Sequence, residues 1–105
     1  MIAVNIPTLL GQTSDLTVTI TQNANMRSEP DSSAERLTVL RAGTRIRLDG
    51  RTETGNWVRG ITPAGFIGWI SSGTTDISLS QITGLRVVSP QTPFILEAPV
   101  NTAPA

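Results

Sequence analysis

The chain has 105 residues, eight of them basic and eight acidic, for a formal net charge of zero. That is the size of one domain, and without a basic cluster nothing favours nucleic acid as a partner. It contains neither His nor Cys, which excludes a Ser–His or Cys–His pair, a disulfide framework and a thiolate metal site within the chain.

Other absences narrow the reading further. No apolar run approaches the length that spans a bilayer, so membrane insertion is not expected. Met1 is not followed by a basic n-region and a long apolar run, so no signal peptide is read. All the basic residues are Arg. That reflects either plain composition or bidentate guanidinium pairing at contacts.

Taken in order, Ile2, Val4 and Ile6 alternate with Ala3 and Asn5, a strand pattern that Pro7 ends. Leu16, Val18 and Ile20 then alternate with Thr17, Thr19 and Thr21, the pattern of a half-buried strand. Residues 22–36 are polar and turn-rich, and Asp31 or Ser33 is placed to cap a single helical turn through Glu35. Residues 37–40 form a short apolar run. Residues 44–48 alternate again, with Ile46 and Leu48 inward and Arg45 and Arg47 outward. Residues 49–56 read as a polar loop.

A β-hairpin follows. Its arms are residues 57–61 and 66–70, joined by Thr62-Pro63-Ala64-Gly65, a sequence suited to a type I turn. It carries both Trp residues and one of the two Phe residues, so the core is expected to be sealed by its indoles. Ile77 and Leu79 alternate with Ser78 and Ser80 as a closing strand, and residues 85–88 read as one more. Beyond Ser89 Pro dominates, and Phe94-Ile95-Leu96 is the apolar patch of that tail. The expected core is Val18, Ile20, Leu40, Ile46, Leu48, Trp69 and Ile70. Nowhere does a helical period run for three turns. The pattern is all-β, a small barrel or sandwich.

Within residues 16–80 the motifs resemble the bacterial SH3-like domain family. Asn25, Met26, Arg27 and Ser28 are similar to the family's opening asparagine–hydrophobic–arginine–serine motif, with Pro30 soon after. Gly43 and alternating strand residues follow. Trp57 comes after a Gly-containing loop, and Gly65, Gly68, Trp69 and Ile70 resemble the closing Gly-x-x-Gly-Trp-hydrophobic run. The resemblance implies a partly open barrel of five to six strands over residues 16–80, flanked by an extended arm at 1–15 and a Pro-rich segment at 81–105. It also implies an extracellular or cell-envelope binding or spacer module, with peptidoglycan among the family's ligands. Gly60 departs from the family's β-branched preference and suggests a bulge. The absence of Tyr leaves few aromatics for a groove.

No enzyme, cofactor or metal is expected. Glu29 with Asp31, and Asp49 with Glu53, are carboxylate pairs in polar loops, read as solvated charges. Residues 31–35 offer oxygen ligands without the spacing of a calcium loop. Asn25 reads as a turn-fixing side chain. Arg27 reads as an internal tie or as a partner for a carboxylate ligand, and Trp57 as core packing or as a ligand platform. The ligand-binding expectation is Arg27, Trp57 and Phe66. The leading expectation, though, is contact between copies. Ile2, Val4 and Ile6, or Phe94, Ile95 and Leu96, can add to a sheet edge of a second copy and build a filament or tube. Peptidoglycan binding is the alternative.

Overall fold

Alternating β-branched and aliphatic residues suit a pleated sheet with one buried face. In the computed structural model, which describes residues 16–94, they form six antiparallel strands of a single sheet. The strands are β1 (Leu16–Thr19), β2 (Ala24–Arg27), β3 (Arg36–Leu40), β4 (Arg45–Arg51), β5 (Trp57–Ile61) and β6 (Ile67–Ser71). Their order is β1-β4-β5-β6-β2-β3. The sheet coils into a small SH3-like barrel that stays partly open. β2 meets β6 through one residue pair, Arg27 with Trp69, and β1 and β3 remain edges.

One face of the coiled sheet is aliphatic. Val18, Ile20, Met26, Leu40, Ile46, Leu48, Val58 and Ile70 pack there, joined by Leu85 from beyond the last strand. Each such side chain contributes about 1.5–3 kcal/mol through burial. The hairpin registers Val58 with Ile70 and Arg59 with Trp69. Successive residues of a strand face opposite sides, so both indoles and Arg59 lie on the outer face. Trp69 is buried, but it does not seal the aliphatic core. It is covered from outside by Arg59, whose guanidinium lies 5.7 Å from its ring centre.

Four local expectations are corrected. The closing strand at 77–80 is instead the start of a helix, α1 (Leu79–Gly84). Ser78 Oγ accepts from the Gln81 N–H at 3.2 Å and Gln81 Oε1 accepts from the Ser78 N–H at 2.9 Å, a capping box that starts a helix wherever it closes. Residues 85–88 make an isolated parallel bridge, Arg51 with Val87, rather than a strand. The helical turn through Glu35 is replaced by an Asp-stabilised turn, in which Asp31 Oδ1 accepts from the N–H and hydroxyl of Ser33, each at 2.9 Å. The 49–56 loop begins later than expected, because Asp49, Gly50 and Arg51 belong to β4.

The suspected bulge exists, but in the neighbouring strand. Gly60 pairs regularly with Gly68, while the register of β4 against β5 slips between Leu48 and Gly50. Gly60 answers to close approach instead: a Cβ there would stand 2.6 Å from the Arg47 carbonyl oxygen. The bulge leaves Asp49 unopposed and turns its carboxylate toward the outer face.

Candidate functional site

Loop 52–56 folds back on itself before β5. The Thr52 N–H donates to the Trp57 carbonyl at 3.0 Å and the Gly55 N–H to the Thr52 carbonyl at 2.9 Å. This sets Trp57 at the first position of β5, opposite Ser71 of β6. On the far side of the sheet opening, Arg27 at the end of β2 donates from Nη1 to the Ala34 carbonyl at 2.9 Å. That bond and the one from the Ser28 N–H to the Glu35 carbonyl, 2.9 Å, hold loop 28–35 beside the strand.

Between these elements lies a solvent-open cleft of about 380 Å³, lined by Asn23, Asn25, Arg27, Ser32, Trp57, Ser71 and Thr74 around Ala24. Trp57 is half-buried in it. Its one aromatic wall and several hydrogen-bonding groups are the composition of a binding pocket. Asn23 rather than Asn25 makes the turn-fixing bond, accepting from the Ala42 N–H at 3.0 Å. The Asn25 side chain is exposed and makes no hydrogen bond among the described residues.

The expected ligand-binding set is therefore only partly gathered. Arg27 and Trp57 share the cleft. Phe66 is exposed at the opposite end of the hairpin, next to the pair Ile61–Ile67. Of the expected contact residues, Ile2, Val4, Ile6, Ile95 and Leu96 lie outside the described residues. Phe94 packs on its own barrel, its ring centre 5.4 Å from the Arg59 guanidinium.

The carboxylates do not form an acid–base pair. Hydrogen bonds from the Ser33 backbone and hydroxyl, helped by the Arg27 charge, hold the Asp31 carboxyl below its ordinary range. Asp49, read from sequence as a solvated loop charge, is fully buried. It accepts from Arg59 Nε at 2.9 Å and Arg59 Nη2 at 2.6 Å, with Arg86 Nη2 at 3.3 Å. A buried charge survives only when paired in this way. The alternation of residues 44–48 stops short of Asp49 because the register slips between Leu48 and Gly50. The partner of Asp49 is set by strand register, which no local pattern encodes.

The fold is a small, partly open, mostly β barrel with a cleft that has one aromatic wall. The family model for the bacterial SH3 domain matches residues 22–76, more than half of the chain, and the chain belongs to that family. Bacterial SH3 domains are typically binding modules, commonly of the cell wall. No curated protein and no solved structure matches the chain. Among the described residues no helix is long and apolar enough to cross a membrane.

Proposed function

We propose that this domain is a non-catalytic cell-wall binding module of the extracellular or envelope space, and that a peptidoglycan peptide or glycan lies in the cleft between Arg27 and Trp57. The supporting observation is the half-buried Trp57 ring facing polar groups across an open cleft. A ring of that kind stacks on the apolar face of a sugar or peptide while neighbouring amides and hydroxyls fix orientation. The Asn25 amide and the Ser32 and Ser71 hydroxyls supply such groups, and Arg27 supplies a positive charge for a stem-peptide carboxylate.

Assembly through the flanks rests on residues outside the described ones, and Phe94 is engaged with its own Arg59. The wall ligand therefore leads. Titration of soluble peptidoglycan fragments into isotopically labelled protein tests it: amide shifts are expected at Asn25, Arg27, Trp57 and Ser71. Shifts absent there, or confined to the Phe66 end of the hairpin, overturn it.

A further inference from the structure

The outer face of the hairpin holds a second built feature, apart from the Trp57 cleft. Arg59 is 4% exposed, and its guanidinium uses every N–H it has. Two go to Asp49, as above. Nη1 donates to the Ser89 carbonyl at 3.3 Å and the Thr92 carbonyl at 2.6 Å, and Nη2 to the Pro93 carbonyl at 3.2 Å. The Trp69 ring lies on one side of the guanidinium and the Phe94 ring against it at 5.4 Å.

The two halves of this contact are each organised largely on their own. Asp49, Arg59 and Trp69 sit in the sheet, and the bidentate carboxylate fixes the fork, with Arg86 adding a third bond to Asp49. Residues 89–92 form a turn held by its own bonds, the Thr92 N–H to the Ser89 carbonyl at 3.0 Å and the Ser89 N–H to Thr92 Oγ1 at 3.0 Å. Pro90 stands at the second turn position, where its fixed φ favours the bend. Recognition runs through three backbone carbonyls and one ring, so it reads shape rather than chain identity. Ser89, Pro90, Gln91 and Pro93 are themselves exposed.

We propose that the Arg59–Trp69 face is a second binding site, for a Pro-containing β-turn that ends in an aromatic residue. Here the chain's own residues 89–94 fill it; the occupant that fits in trans is the same segment of a second copy. Tethering gives the cis segment an effective concentration on the order of millimolar, so a free ligand competes only when the strap is weakened.

The test uses the full chain and a fluorescent peptide with the sequence of residues 87–94. A variant carrying Pro90→Gly, Pro93→Gly and Phe94→Gly together is expected to bind the peptide saturably, at least about tenfold more tightly than the unaltered chain. A peptide with Phe94→Ala is expected to bind that variant at least about fivefold more weakly. Trp57→Ala in the variant is expected to leave peptide affinity unchanged, which separates this site from the wall-binding cleft. No saturable binding to a strap variant whose circular dichroism matches the unaltered chain overturns the proposal, as does equal binding of the peptide lacking Phe94.

Discussion

Asp49 and Arg59, ten residues apart in sequence, meet as a buried bidentate ion pair on the outer face of the barrel, at 2.9 and 2.6 Å. The pair stands between the sheet and the segment that follows it. The same guanidinium that satisfies Asp49 also holds residues 89–93 and lies over the Trp69 ring. Loss of either partner takes the bidentate ion pair away from the other buried charge, and the 3.3 Å contact from Arg86 does not replace it for Asp49.

Removing one partner is therefore expected to be severe. Asp49→Ala or Arg59→Ala should destabilise the fold by about 3–5 kcal/mol in urea unfolding. Arg59→Lys should recover little, because an ammonium cannot reproduce the planar fork. Amide exchange at residues 85–94 should accelerate more than exchange at β1 in all three variants. Equal acceleration across the sheet would show that the pair does not hold the strap.

The two indoles should separate cleanly. Trp69→Ala is expected to cost about 3–5 kcal/mol, as for a fully buried aromatic. Trp57→Ala removes a half-buried ring at an open cleft and should cost well under half as much. Chemical unfolding of both variants, followed by circular dichroism, checks the order.

Ser78→Ala opens the capping box of α1. The expected loss is about 1 kcal/mol, read as a lower urea midpoint at unchanged slope. Gln81→Ala should give a smaller loss of the same sign, because it removes the reciprocal bond alone.

The Asp31 turn gives a pH dependence with a definite sign. The folded carboxyl titrates below its ordinary range because the Ser33 N–H and hydroxyl and the Arg27 charge favour the ionised form. Its contribution is therefore present above the unfolded value and is lost as pH falls through the lower folded one. Carbon-detected NMR titration should place Asp31 below an exposed aspartate, and Ser33→Ala should raise it toward that reference. An unchanged value in Ser33→Ala would assign the shift elsewhere.

What the sequence disclosed follows from which interactions are local. The β5–β6 hairpin was legible because its turn chemistry and its alternation both lie within a few residues. β2 was not, since Ala24 and Met26 are too few to set a period. The chain from Ile77 to Ser80 alternates like a strand, yet Ser78 and Gln81 carry a helix-start signal that was equally readable and that prevails. The burial of Asp49 is not legible locally, because a bulge breaks the alternation that would otherwise assign its face and its partner is fixed across the sheet. At the cleft, Arg27 and Trp57 could be paired through the family motifs. Phe66 shares the hairpin with Trp57, but register sends it to the far end.

The central proposal is that the Trp57 cleft holds the wall ligand, and co-sedimentation with purified cell walls tests it most directly. The unaltered chain and Phe66→Ala should pellet alike, while Trp57→Ala, still folded by circular dichroism, should stay in the supernatant. Pelleting of Trp57→Ala at the level of the unaltered chain, or no pelleting of the unaltered chain above background, would contradict the account.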